Sequence, residues 1–168
     1  MTRRARGEHG ASLVEFALIL PVFAMLMLGT ITGGLAYNRK LAVTASARES
    51  VRFAATLAPP NPSDSDMQRW ADEVHDVAVA SADGELGTGD SGRFVCVALI
   101  SSGSFFRVTY DGGSVSGVQR DTACFTEDPP LTRSRVQVVT RRTSTFEAMV
   151  FSRDLTLEYN AVARYEAG

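Results

Sequence analysis

The pattern of apolar and polar positions divides the chain into one long apolar stretch and a remainder in which the two kinds of residue are mixed. From Phe16 to Tyr37, twenty-two consecutive residues carry no formal charge. A helix needs roughly 20 apolar residues to cross the ~30 Å hydrocarbon core of a bilayer. The pattern therefore predicts a transmembrane helix over residues 11–37.

Small apolar residues continue beyond this stretch at helical spacing. They recur at steps of three and four and form one stripe, which consists of Val43, Ala47, Val51, Ala54 and Ala58. Such a stripe is typical of a helix that packs on its own domain. The prolines at positions 59, 60 and 62 lack the backbone donor that a helix requires, so we expect the helix to extend over residues 38–58 and to end there.

The rest of the chain, residues 59–168, shows first a helical and then a strand-like period. Ser63 is a candidate N-cap for a helix with the apolar stripe Met67, Trp70, Val74, Val77 and Ala78, which Gly84 would close. Residues 93–100, 105–110, 135–145 and 155–166 are rich in β-branched and aromatic residues, and we expect the last two segments to pair as antiparallel strands. The predicted fold class is α+β: a long amino-terminal helix, then a small domain with an antiparallel sheet.

Composition narrows the functional classes. Of the 168 residues, 45% are apolar and 21% charged, which is too apolar and too weakly charged for a disordered chain. The formal net charge of −2 provides no basic field for nucleic acid. A mean hydropathy of −0.01 excludes a polytopic membrane protein.

The chain offers little catalytic or metal-binding chemistry. Residues 87–92 read GTGDSG, but a dinucleotide loop must follow a strand and open a helix, whereas here a helix precedes and a strand follows. The acids around His75 lack the spacing of a calcium loop, so a solvated helix face is expected. We expect no enzymatic activity, no cofactor and no metal site.

The basic residues before the apolar helix indicate how that helix would be oriented in a membrane. Arg3, Arg4 and Arg6 precede it, and the positive-inside bias would keep them in the cytoplasm, although Arg39 and Lys40 on the far side weaken that bias. The stretch can be an uncleaved single-pass anchor, a secretory signal peptide cut near Ala36, or a buried helix of a soluble domain. The length and composition of the stretch make the third alternative the weakest.

Glu15 stands at the start of the apolar helix. A carboxylate there costs several kcal/mol unless it reaches the headgroups or finds a partner, so it is a candidate functional residue. If the chain were cut after Gly10, Glu15 would lie about one helical turn from the new amino group of Ala11. That carboxylate could then pair with the ammonium group of a neighbouring subunit.

These residues resemble a known family. A basic leader, a glycine, four residues, a glutamate and an apolar helix are similar to the class III signal of type IV pilin-like proteins. Residues 10–21, GASLVEFALILP, and residues 45–55, ASARESVRFAA, more specifically resemble TadE-like proteins of tight-adherence (Flp) pilus systems. Two departures are Ser50-Val51 in place of the usual Gly-Ala and Phe16 where major Flp pilins have tyrosine.

The resemblance implies a membrane-embedded pilin-like subunit. A prepilin peptidase would cut between Gly10 and Ala11, so that residues 1–10 form a leader peptide. The expected partners are the lipid bilayer, the peptidase, other pilin-like subunits and the tight-adherence secretion machinery. The expected location is the cytoplasmic membrane, with the carboxyl-terminal domain outside.

Cys96 and Cys124 are the only two cysteines, and both lie in the part expected outside the cytoplasm. Oxidising surroundings and an even count favour a disulfide between them. Two buried free thiols are the alternative.

Overall fold

The computed structural model describes residues 8–87, 92–101, 104–127, 133–148 and 151–165. The chain separates into two compact units, Met1–Asn38 and Arg39–Gly168. One long helix, α1 (Glu8–Thr56), supplies residues to both. Among its described residues the second unit also contains α2 (Asp64–Ala80) and six strands: β1 (Arg93–Ser101), β2 (Ser104–Asp111), β3 (Ser114–Val115), β4 (Gln119–Arg120), β5 (Arg135–Ala148) and β6 (Phe151–Arg164).

In the first unit, α1 is helical throughout its described residues, Pro21 included. Two of its threonines donate hydrogen bonds to backbone carbonyls of the preceding turn. Thr30 Oγ1 donates to the Met27 carbonyl at 2.8 Å, and Thr32 Oγ1 donates to the Leu28 carbonyl at 2.7 Å. These bonds satisfy the two hydroxyls within the helix itself. The apolar segment can therefore lie in a non-aqueous environment without leaving these hydroxyls unpaired.

In the second unit, the six strands form a single antiparallel sheet. Its order is β3-β2-β1-β5-β6, with β4 also paired to β2. β1 pairs with β5 from Ile100↔Arg135 to Arg93↔Arg142, and β5 pairs with β6 along their full length from Arg135↔Arg164 to Ala148↔Phe151. The α+β class, the strands expected from the sequence and the antiparallel β5–β6 pairing are confirmed.

One face of the sheet carries both helices. α1 buries four small apolar residues and two serines, namely Val43, Ala47, Val51, Ala54, Ser46 and Ser50, and α2 buries five residues, Met67, Trp70, Ala71, Val74 and Ala78. The strands contribute mainly valines to the same core, among them Val95, Val97, Val136 and Val138. Thr140 of β5 is fully buried and its Oγ1 donates to the Val43 carbonyl at 2.9 Å, which attaches α1 to the sheet. The expectation that the small-residue stripe packs on the domain is confirmed, except at Ala58, which lies beyond the end of α1 and is exposed.

The amino-terminal end of α2 agrees with the prediction from the sequence, whereas its carboxyl-terminal end does not. Ser63 is the N-cap: its Oγ accepts from the Asp66 N–H at 3.2 Å and donates to Asp66 Oδ2 at 2.9 Å. Hydrogen bonds from Ser63 and Asn61 hold the pKa of Asp66 below its usual value. The predicted closure at Gly84 is wrong, because α2 ends at Ala80 with Ser81 as its C-cap. Gly84 instead adopts a positive φ of 80° in the turns that follow.

Part of the glycine-rich segment 87–92 lies outside the described residues. Its described flanks follow the expected order, since α2 precedes the segment and β1 follows it. That order is the reverse of a dinucleotide-binding loop.

Candidate functional site

The amino-terminal part of α1 contains the residues that the resemblance predicts to be involved in processing and assembly. Gly10 and Ala11 lie within the first turn of the helix, and Glu15 follows about one turn later with an exposed side chain. The two units, each taken by itself, thus contain different candidate sites: Gly10, Ala11 and Glu15 belong to the first, and the two cysteines belong to the second.

The side chains that follow Glu15 expose an unusual amount of apolar surface. Twelve large apolar residues between positions 16 and 35 are at least 42% exposed: Phe16, Leu18, Ile19, Leu20, Val22, Phe23, Met25, Leu26, Met27, Leu28, Ile31 and Leu35. A continuous apolar surface of this extent is unfavourable in water and marks a membrane or protein contact. Within the described residues, α1 is the one helix long and apolar enough to cross a membrane. The protein therefore has an amino-terminal helix capable of spanning a bilayer, followed by a small domain.

In the second unit, Cys96 of β1 and Cys124 form a disulfide with their Cα atoms 5.9 Å apart. Cys96 points away from the helical face of the sheet, because Val95 and Val97 on either side of it belong to the helical core. Cys124 lies in the segment between β4 and β5. The disulfide therefore ties this segment, which we call the outer segment (residues 121–127), to the second face of the sheet.

A buried polar network beside the disulfide was missed by the sequence reasoning. Gln137 of β5 is 1% exposed, and its Oε1 accepts from the Cys124 N–H at 3.1 Å while its Nε2 donates to the Phe125 carbonyl at 3.0 Å. Nε2 also donates to Glu127 Oε1 at 2.7 Å, and Arg135 Nε lies 2.8 Å from the same carboxylate. The outer segment is thus fixed by a covalent bond and by several hydrogen bonds. In the sequence, the one sign of this buried network is a single glutamine among the valines of residues 136–139.

Replacing Gln137 with leucine, which has nearly the same volume, is expected to destabilise the domain by about 2–3 kcal/mol. The leucine removes the partner of three backbone groups, the N–H groups of Cys124 and Phe125 and the Phe125 carbonyl, and of one Glu127 oxygen, while it fills the space of the glutamine side chain. The free energy of unfolding from urea denaturation measures the loss. The matched control is Gln119→Leu on exposed β4, whose Oε1 accepts from Arg107 Nε at 3.0 Å in a position where water can replace it, so we expect a change of about 1 kcal/mol or less. Equal losses at the two positions would contradict a special role for the buried network.

The remaining polar candidates occupy α2 and its surroundings. His75 is half-buried and stacks on Tyr110, with their ring centroids 4.0 Å apart. The exposed acids of α2 lie along its outer side, and among the described residues no three potential ligands come together as a metal site. A second group of charges joins α1 to the sheet: Glu85 lies 3.8 Å from Arg39 and 2.5 Å from Arg142.

The comparisons with known proteins give one family. Residues 10–52, about a quarter of the chain, match the model described as TadE-like protein, and the match contains Gly10, Glu15 and the first part of the buried stripe of α1. No curated protein and no solved structure matches the chain significantly. The resemblance inferred from the residues is confirmed over residues 10–52, where the chain matches the TadE-like family.

Proposed function

We propose that the protein is a pilin-like subunit that takes part in the biogenesis of a tight-adherence (Flp) type IV pilus. The observation that carries this proposal is the TadE-like match, which begins at Gly10 and includes the exposed apolar helix. The family relation connects the chain with pilus assembly rather than with catalysis. Its role would be to assemble with related subunits, and its partners would be the bilayer, those subunits and the tight-adherence secretion machinery.

Processing by a prepilin peptidase is the first step of the proposed role. Cleavage between Gly10 and Ala11 would remove the basic leader and leave Ala11 as the new amino terminus. Arg3, Arg4 and Arg6 would hold the uncleaved leader in the cytoplasm, and the second unit would then lie outside. The disulfide supports this orientation, because disulfides persist in oxidising compartments.

Glu15 would act after processing. Its side chain is exposed on α1 at the start of the apolar stretch, where no charged neighbour of the same helix follows until Arg39. Pairing with the amino group of Ala11 on a neighbouring subunit would cancel two charges in a low-dielectric environment. The helix would thereby be aligned with its neighbours along the membrane normal.

Sequencing the amino terminus of the protein isolated from its own cells tests this function. We expect the mature chain to begin at Ala11, and the variant Gly10→Val to retain the leader. A mature chain that begins at Met1 would indicate a plain membrane-tethered domain instead. A chain that begins at Tyr37 would indicate a secreted protein, and either result would overturn the proposal.

A further inference from the structure

The two edges of the sheet in the second unit differ. At one edge the strands β3 and β4, of two residues each, pair with parts of β2. At the other edge β6 extends over 14 residues, and among the described residues no strand pairs with its outer side. Very short edge strands hinder the addition of a further strand, whereas a long open edge permits it. The outer side of β6, which we call the open edge, is therefore a candidate docking surface.

The strand register identifies the backbone groups that the open edge offers. The Tyr165 N–H donates to the Ser134 carbonyl at 3.0 Å, and Arg135 pairs with Arg164. Because bonded residues alternate in an antiparallel pair, the odd-numbered residues of β6 bond to β5 and the even-numbered residues direct their N–H and C=O groups outward. The outward residues whose side chains are exposed are Asp154, Thr156, Glu158, Asn160, Val162 and Arg164. The ligand that matches such a row of donors and acceptors is an extended polypeptide.

One end of β6 lacks the support of a third strand. β1 pairs with β5 as far as Arg142, and the Thr143 N–H donates to the Gly92 carbonyl at 2.7 Å. Beyond Thr143, β5 and β6 continue as a pair to Ala148↔Phe151, and no third strand joins them in the described part of the chain. A two-stranded ribbon is marginally stable in water. A strand added to the open edge would give this ribbon its third strand.

The side chains along the open edge determine which strand would fit. Asp154 and Glu158 are negative and Arg164 is positive, whereas Val162 is apolar. They lie on the same face of the sheet, because even numbers of residues separate them. Opposite charges that face each other across two strands are favourable, and like charges are unfavourable. The matching antiparallel strand has basic side chains opposite Asp154 and Glu158. It has an apolar side chain opposite Val162 and an acidic one opposite Arg164.

Both carboxylates of the open edge can accept a further partner. Asp154 Oδ1 accepts from Thr145 Oγ1 at 2.9 Å, and Glu158 Oε2 lies 4.0 Å from Arg141 Nη1. A carboxylate can accept several hydrogen bonds, and both of these side chains are exposed. A basic side chain on an added strand would therefore reach either carboxylate without displacing its neighbour on β5.

A second copy of β6 fits the open edge less well than a strand of another sequence. The two-fold pairing with the longest overlap is centred on Tyr159 and opposes Asp154 to Arg164. It also sets the two Tyr159 rings side by side, each with the Arg48 guanidinium 5.2 Å from its centroid, so that like charges meet at the centre. Centring the pairing on Glu158 would oppose two glutamates, and centring it further towards Tyr165 would leave the ribbon unpaired. The charges therefore favour a different chain.

We infer that the open edge of β6 binds an extended segment of a different protein chain as an additional antiparallel strand. The segment has basic side chains opposite Asp154 and Glu158. Its binding extends the sheet by one strand and covers Leu155 and Val162, which are 39% and 38% exposed. The inference concerns the second unit alone and does not depend on the proposed role in a pilus.

Hydrogen–deuterium exchange of the backbone amides, resolved by nuclear magnetic resonance on the full-length protein in detergent micelles, tests the inference. The probe is a synthetic peptide of alternating threonine and valine with lysines opposite Asp154 and Glu158 and a glutamate opposite Arg164. We expect it to slow the exchange of the outward amides, such as those of Thr156 and Asn160, and to leave the odd-numbered amides of β6 as slow as before. A peptide with the charges reversed is expected to bind about tenfold more weakly, since several exposed charge pairs become repulsive.

Variants at Asn160 test the backbone bonds. Asn160→Pro removes an outward N–H and no bond to β5, so we expect the urea midpoint to stay close to that of the wild type while the peptide no longer slows exchange. Asn160→Thr keeps the N–H and is the matched control, and we expect it to bind the peptide as the wild type does.

A charge exchange at Glu158 provides a test that leaves the backbone intact. Glu158→Lys is expected to weaken binding of the original peptide about fivefold, the typical worth of one exposed charge pair. A peptide with glutamate in place of the lysine opposite this position is expected to restore the affinity for the variant.

Three results would overturn the inference. The first is equal binding of the original and the charge-reversed peptide, and the second is equal protection by the peptide in the two Asn160 variants. The third is protection of the outward amides that increases with protein concentration in the absence of peptide, because it would identify a second copy of this chain as the occupant.

Discussion

Replacement of Glu15 by alanine is expected to leave the protein inserted in the membrane and to abolish its assembly with partner subunits. Insertion depends on the apolar residues after position 15, which the substitution does not touch. Assembly in the proposed arrangement depends on pairing the Glu15 carboxylate with the amino group of a neighbour. Removing one member of a buried charge pair costs about 3–5 kcal/mol, which corresponds to a more than 100-fold loss in an association constant.

The measurement combines membrane fractionation with pilus counts by electron microscopy in cells that carry only the variant. Glu49→Ala is the matched control, because Glu49 lies on the same helix, is exposed and has the same charge. We expect cells with the Glu49 variant to produce pili at the normal level. Normal pili in the Glu15 variant would refute the charge-pairing role while leaving the membrane anchorage intact.

The double substitution Cys96→Ala and Cys124→Ala is expected to destabilise the second unit by about 3–4 kcal/mol. The two cysteines are 28 residues apart in sequence, and a cross-link over such a loop restricts the unfolded chain substantially. This loss exceeds the effect of most single surface substitutions, which change the free energy of unfolding by about 0.5 kcal/mol or less. Urea denaturation of the full-length chain in detergent, followed by Trp70 fluorescence, measures the change through the single tryptophan of the core.

Reduction provides the control for this experiment. A thiol reductant is expected to lower the urea midpoint of the wild-type protein toward that of the double variant and to leave the double variant unaffected. A common midpoint for the oxidised wild type and the double variant would show that the cross-link contributes nothing to stability. A larger slope without a change in midpoint would instead indicate a more expanded denatured state.

The helices and most of the strands could be predicted from local pattern, because their periods are strong. The stripe from Val43 to Ala54 repeats at helical spacing, and the structure buries it as expected. β6 alternates apolar and polar residues from Leu157 to Ala163, and Val162, which breaks the alternation, is exposed in the structure. The predicted division into residues 1–10, 11–37, 38–58 and 59–168 stays a prediction.

The outer segment could not be predicted, because what fixes it is non-local. Gln137 is recognisable as important only after the sheet brings it beneath residues 124–127. The second unit also contains a cavity lined by Asp72, Arg93 and Tyr110, which could not be predicted for the same reason: these residues come from α2, β1 and β2 and meet only in the folded domain. The misplaced end of α2 has a local cause, since Asp83 adopts a positive φ of 49°, which a right-handed helix cannot include, so the helix ends before Gly84.

The continuity of α1 has a mechanical consequence. The helix that can span the bilayer also supplies Val43, Ala47, Val51 and Ala54 to the core of the second unit, and Thr140 bonds to its backbone. A pulling force that reaches residues 43–54 through α1 would therefore act on the contacts between this part of the helix and the sheet. If such a force acted on a subunit, either the contacts between α1 and the sheet would hold or the whole domain would unfold. Removing residues before position 57 to obtain a soluble domain would for the same reason remove part of its core.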